Sequence, residues 1–391
     1  MQNKKVSKSI VIFVCIVIFS SIALAEVPNE IPIKGKVEVI GEGDNSVDVI
    51  TVEGTPYEMG YAHGVLEKDK IQELMTKVVP AMCKELGINE DMANLLLNQV
   101  YKSAEPYIPD DYKEEMRGLA DGSGVPLKSI HQFHMIPGVS EYHCTFFASW
   151  GKAVPNNRLI QIRALDYETN AHIQDNPAII IRKPSRGVPF SSIAWAGFIG
   201  VVSGINSEQI AMSEIGDDFG EEHETLDGEP MIFVMRDVLQ NASSLDEALD
   251  ILKKAHRTSS FLYCIGDGKA NDARALATAK DVFDVYSDEN LPFPNHLDDV
   301  VYMSMGLDSD WNQKLFKVLS AKYGKITETV AMEDVMTGLG TGNLHAIAFD
   351  VTNLKVWVAN AGLDATPAYK RVYIPYDLEA VFVKDGFVGK R

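Results

Sequence analysis

The chain has 391 residues, 46% hydrophobic and 23% charged, with 36 Lys and Arg against 55 Asp and Glu for a net charge of −19. This composition excludes a mostly disordered chain and a multi-spanning membrane protein. The acidity argues against nucleic acid or an anionic membrane surface as a partner, because phosphate contacts need clustered Lys and Arg.

Lys4, Lys5 and Lys8 precede an apolar run, Ile10 to Phe19, and then Ala23-Leu24-Ala25. Basic, apolar and then small residues form the signal-peptide pattern, so residues 1–25 are expected to be removed and the rest exported to a secreted or extracytoplasmic location. The apolar run is short for a membrane span, which needs ~20 residues. Beyond it only Cys83, Cys144 and Cys264 remain, and no CxxC pair exists. An odd, sparse set is not a disulfide framework, so at least one thiol stays free or pairs between chains. Cys83 and Cys264 sit in apolar runs that suit core positions.

From about Pro56 to Gly122 the pattern is helical, with Met59, His63, Leu66, Ile71, Met75, Val78 and Met82 at helical steps. Asp110 to Ala120 reads as a further helix. From Cys144 the pattern changes to strands. Cys144–Trp150 and Leu159–Leu165 flank the turn signal Pro155-Asn156-Asn157. Ala178–Ile181, Ile193–Phe198, Val201–Ile205 and Ile210–Ile215 continue it, the last two joined by a hairpin at Asn206–Gln209. Helices return at Met231–Gln240, behind Pro230, and after the capping-box sequence Ser244-Leu245-Asp246-Glu247. Strands follow at Leu262–Ile265, Arg274–Thr278, Val282–Tyr286, Leu344–Phe349 and Lys355–Ala359, with helices at Trp311–Tyr323 and Met332–Gly338. The class is α+β, with sheets covered by helices.

Cys144 lies where helices give way to strands, and Arg163 and Asp166 follow on the next strand of a hairpin. The hairpin can bring all three to one end of a sheet. A guanidinium beside a thiol favours the reactive thiolate. On these residues alone, a buried cysteine with a structural Arg–Asp pair stays an open alternative. His131-x-x-His134 contains zinc-ligand types without a second cluster. Asp308-x-Asp310-x-Asn312 starts like a calcium loop but has Gln313 and Leu319 where Gly and Glu are needed. Neither is read as a metal site.

Four stretches together resemble one family: Glu53–Gly64; Glu115–Gly124; His143-Cys144-Thr145 with the hairpin to Asp166; and Gly342–Ala346 followed by Thr352–Ala359. Their order and spacing resemble the acyl-coenzyme A:6-aminopenicillanate (isopenicillin N) acyltransferase family of autoproteolytic cysteine Ntn hydrolases. The resemblance implies a four-layer αββα sandwich of two packed antiparallel sheets between helices, and no cofactor. It implies a precursor that cuts its own His143–Cys144 bond into a mainly helical segment, 26–143, and a segment 144–391, which stay associated as one domain. Cys144 is then the thiol nucleophile and its α-amino group the base, attacking the amide of a small N-acyl compound or passing the acyl group to an amine. Arg163 and Asp166 match positions that related hydrolases use to hold the thiol and amine. Asn206 resembles one oxyanion donor and equally suits a plain turn. Ser260 stands near the place of the second. The residue before the nucleophile is often Gly in the acyltransferases and is His143 here. The rival expectation is an exported binding protein on the same fold without catalysis.

Overall fold

Residues 31–138 and 143–382 are described by the computed structural model; the expected leader, 1–25, lies outside them. The described residues from Ile33 onward form one compact unit. It begins with a hairpin, β1 (Gly35–Ile40) and β2 (Val47–Gly54). Helices α1 (Pro56–Leu66), α2 (Lys68–Leu86), α3 (Glu90–Ala104), α4 (Asp110–Ser123) and α5 (Leu127–Met135) follow. The first helix starts where the sequence dictates. Thr55 accepts from the Glu58 amide, Glu58 accepts from the Thr55 amide at 2.8 Å, and Pro56 presets the first helical φ.

The second part opens with β3 (His143–Ser149) and β4 (Ile160–Asp166), then β5 (Pro177–Pro184), β6 (Phe190–Trp195), β7 (Ser203–Asn206) and β8 (Ile210–Gly216). Helices α6 (Met231–Asn241) and α7 (Leu245–Lys254) lead to β9 (Phe261–Asp267), β10 (Asp272–Thr278), β11 (Phe283–Tyr286) and β12 (Val300–Ser304). Helix α8 (Trp311–Lys322) and a π-helical stretch, Val330–Met336, precede β13 (His345–Asp350), β14 (Lys355–Asn360) and β15 (Ile374–Asp377).

Nine strands form one sheet in the order β1-β2-β5-β6-β7-β8-β9-β10-β11, and six form the other, β12-β3-β4-β13-β14-β15. Strands β3 and β4 face β8 across the interior. Helices α1, α6 and α7 cover the outer face of the nine-stranded sheet, and α8 and the π-helical stretch cover that of the six-stranded sheet. This is the four-layer αββα arrangement. The sheets are not wholly antiparallel, because β2 and β5 run parallel. The chain leaves β2 through five helices and two strands of the other sheet before β5. So long a crossover permits a parallel pair, which a tight turn cannot. The segment before Cys144 is therefore not helical alone: it gives two strands to a sheet that the later segment completes.

Helices α1 and α4 cross closely because glycines line the contact. A Cβ on Gly60 would stand 2.0 Å from the Glu115 carbonyl oxygen, and one on Gly118 2.2 Å from that of Tyr57. Backbone touches backbone, so neither neighbour can swing aside. Gly118→Ala is expected to lower stability by about 1–3 kcal/mol through overpacking. Gly338→Ala, where nothing lies within 4 Å, is the thermal-denaturation control and is expected to leave Tm unchanged or slightly raised.

Candidate active site

Strand β3 is buried from Cys144 to Ser149, and only its first residue, His143, is exposed. Cys144 stands opposite Leu165 of β4, and His143 opposite Asp166. Directly paired residues share a face, so Cys144, Phe146, Leu165 and Arg163 all point into the space between the sheets. The Arg163 guanidinium, fully buried, lies 3.4 Å from the Cys144 sulfur through Nη2. It also donates to the backbone oxygen and carboxylate of Glu214 on β8 and lies 3.1 Å from His345 Nε2.

This set modifies the expectation that Arg163 favours thiolate. Burial pushes the Cys144 thiol well above its usual range; Arg163 pulls the other way, and Glu214 and Asp166 add to the rise. Desolvation wins because Glu214 already takes up the guanidinium's charge. With the His143–Cys144 peptide intact, Cys144 is therefore a protonated thiol.

Asp166 lies on the opposite face, its backbone paired with His143. Its carboxylate accepts from the amides of Gly342 and Asn343, both at 2.8 Å, and from the Thr341 hydroxyl at 2.6 Å. Gly342 has φ +91, a conformation that glycine adopts without strain, and it turns both amides onto the carboxylate. Since Thr341 donates to Asp166, Thr145 must donate to Thr341 at 3.1 Å and Ser304 to Thr145 at 2.7 Å. This hydroxyl chain backs the strand that carries Cys144 and ends on Asp166.

The structure does not bring Asn206 to this site. Its two amide hydrogens go to the carbonyls of Leu239 and Ala242, at 2.9 and 2.8 Å, and its oxygen accepts from Glu208 and Ile210. It ends β7, at the hairpin into β8, and Glu214 lies near the far end of β8. The turn reading holds for it. Ser260 is buried just before β9; its hydroxyl oxygen accepts from the Phe219 amide at 3.3 Å and its carbonyl from Asp217. It packs the loop beyond β8, with no contact to the sulfur. His131 stacks on Tyr101, and His134 has a backbone partner at each nitrogen, Ile130 and Ile199.

Sequence reasoning missed Glu214 and His345. A lone acid in the apolar strand Ile210-Ala211-Met212-Ser213-Glu214-Ile215 was the signal for the first. A small cleft of about 60 Å³ opens beside these residues, lined by Ile136, Leu165, Tyr167, Trp195, Val202 and Glu214, among others. The surface that its wall exposes is apolar.

The loop carrying that wall is held from below by a second buried cluster. Gly197 and Ile199 amides donate to Nε2 of His63 and His134, both at 2.9 Å, and the Phe198 and Ile199 carbonyls accept from Arg182 and Arg236, also at 2.9 Å. Both guanidinium groups pair with Glu115, with Arg182 at 2.9 Å. His63, Glu115 and His134 precede Cys144 in the chain; the arginines follow it. Burial disfavours the charged imidazole and pushes His63 and His134 down to about 3, so each is neutral and can accept. A histidine with a lowered native pKa stabilises the fold above its unfolded value, ~6.5, and that stability is lost as pH falls toward the native value. Each is expected to remove about 1.4 kcal/mol per pH unit below ~6.5. Burial raises Glu229 and Asp237, an effect of opposite sign that weakens the fold as pH climbs. Urea unfolding between pH 4 and 8 checks this: stability should drop on the acid side, and less steeply in His63→Gln.

A family profile described as "Acyl-coenzyme A:6-aminopenicillanic acid acyl-transferase" matches residues 154–301, a span holding Arg163, Asp166 and Glu214. Acid ceramidase of Heterocephalus glaber is 23% identical over 55% of this chain and 61% of its own. Over these spans the chain is similar to enzymes that transfer acyl groups or hydrolyse amides. Protein dcd1B of Dictyostelium discoideum is 28% identical, over 89% of this chain and 77% of that protein. The solved Caenorhabditis elegans N-acylethanolamine-hydrolyzing acid amidase ortholog aligns with a TM-score of 0.40 at 16% identity, over 54% of this chain and 93% of that one.

Proposed function

We propose that this enzyme cuts itself at His143–Cys144 and then cleaves the amide of a compound with an apolar acyl group, in an extracytoplasmic compartment. The observation that carries this reading is the Cys144 thiol, in contact with Arg163 beside an apolar cleft, with Asp166 paired opposite His143 on the neighbouring strand. In the first step sulfur attacks the His143 carbonyl carbon. The C–N bond breaks, the Cys144 nitrogen takes the thiol proton, and water hydrolyses the thioester, leaving a carboxylate at His143.

The new α-amine has an ordinary pKa near ~8 and stands beside Asp166, which favours its orientation. In turnover it takes the thiol proton, sulfur attacks the substrate carbonyl, and the amine product leaves with that proton. Water then releases the acid. The acid ceramidase and acid amidase similarities support an N-acyl substrate. Export, argued from residues 1–25, supports hydrolysis over transfer from an acyl-coenzyme A, a cytosolic donor. The parallel β2–β5 pair and the Glu115 cluster support continued association of the two segments. Processed protein should release free acid from N-acyl amides, faster with apolar than with polar acyl groups, while Cys144→Ala releases none. Equal turnover in Cys144→Ala would refute the reading.

A further inference from the structure

Self-cleavage turns Cys144 from a mid-chain residue into a chain end, and chain ends fray unless something ties them down. Two ties are present. The Met305 amide donates to the Cys144 carbonyl oxygen at 2.8 Å. The Thr145 hydroxyl is held between Ser304 and Thr341, and all three side chains are fully buried. Thr341 then donates to Asp166 Oδ2 at 2.6 Å, so one hydroxyl touches both the residue after Cys144 and the Asp166 carboxylate. The Asp166 carboxylate is within electrostatic reach of Cys144. Burial dominates the raised pKa of that thiol, and the Asp166 charge adds to the rise. Its two oxygens are held differently. Oδ1 accepts two amides, from Gly342 and Asn343, and Oδ2 accepts the Thr341 hydroxyl. Donors on one oxygen alone leave a carboxylate free to turn about that oxygen; the hydroxyl on the second sets its plane. A carboxylate offers about four acceptor positions, so among the described residues one on Oδ2 stays open. Asn343 fixes the backbone just beyond, accepting from the Tyr167 amide at 2.8 Å and donating to the Tyr167 carbonyl at 3.1 Å.

We propose that Thr341 is a positioning residue for turnover: its hydroxyl sets the plane of the Asp166 carboxylate so that the open position on Oδ2 meets the α-amine of the cleaved Cys144. The inference rests on the amide-cleaving reading above, in which that amine is the base. When the amine takes the thiol proton it becomes an ammonium, and a correctly turned carboxylate favours that charge. The proton then leaves with the amine product. Thr341 keeps its own proton throughout and acts through Asp166. The same hydroxyl, bonded to Thr145, keeps the new chain end in register with the carboxylate that serves it.

The test is the pH profile of kcat/KM for an N-acyl p-nitroanilide, measured on processed protein. Its acid limb reports the base of the free enzyme. Thr341→Val keeps the shape and loses the hydroxyl. It is expected to lower kcat roughly tenfold to a hundredfold through misplacement, with KM little changed. It should also move the acid limb down by about one pH unit, because the ammonium loses its anionic partner. Thr341→Ser keeps the donor and should restore both the rate and the limb. Thr341→Ala makes the same comparison if the valine variant does not fold. A loss of rate with the limb unmoved makes Thr341 structural only and overturns the proposal, as does no loss at all. If the parent cleaves no N-acyl amide, or shows no acid limb, the reading of the amine as base fails and this assignment falls with it.

Discussion

Glu115→Gln is expected to destabilise the protein by about 3–5 kcal/mol, the cost of removing one partner from a buried ionic group. The carboxylate is 1% exposed and lies between Arg182 and Arg236, each fully buried. Burial alone pushes the Glu115 carboxyl up, yet the two guanidinium groups hold it below the usual range. Glutamine preserves shape and leaves two interior cations uncompensated. The same guanidinium groups hold the Phe198 and Ile199 carbonyls, so the cleft wall should loosen as well. Thermal unfolding reads the first effect, and a rise in KM for an N-acyl amide reads the second. An unchanged Tm would mean that the cluster carries no net stabilisation.

Arg163→Leu is the second large effect. It leaves Glu214 as a buried carboxylate without its cation, at about 3–5 kcal/mol, and takes the guanidinium from the sulfur. The double substitution Arg163→Leu with Glu214→Leu removes both charges together. It is expected to recover most of the lost stability, because a buried ion pair replaced by apolar groups is often neutral. Activity should not return: loss of charge stabilisation at the reacting centre costs roughly a hundredfold or more. A double variant with parental kcat would make the Arg163–Glu214 pair purely structural.

The sequence showed most elements of this fold where local signals were strong. Pro56 marked the start of α1, and Pro155-Asn156-Asn157 separated β3 from β4. Ser244 caps α7 as read, but Glu247 bonds Ser243 and completes no box with Ser244. The misses have physical causes. Residues Val47 to Val52 of β2 are all buried, so no alternation betrays a strand between two layers. Strand β12, Val300–Ser304, is likewise buried throughout and short. Its pairing with β3 is a long-range fact that no local pattern encodes.

The site divides the same way. Cys144, Arg163 and Asp166 were legible because one hairpin carries them. Glu214 and His345 come from other strands, across the interior and two strands away. Asn206 was misleading because a hairpin asparagine can fold inward to bond its own turn as readily as face a ligand. The glycines of the Glu53–Gly64 and Glu115–Gly124 stretches also gain a physical reason: Gly60 and Gly118 let two helix backbones touch.

Intact mass with N-terminal sequencing of the purified protein, beside Cys144→Ala, tests the central claim most directly. The account predicts two chains, one beginning at Cys144, and a single uncut chain in the variant. A parent protein that stays a single chain with His143 joined to Cys144 would contradict the nucleophile assignment and leave a binding role on this fold as the better reading.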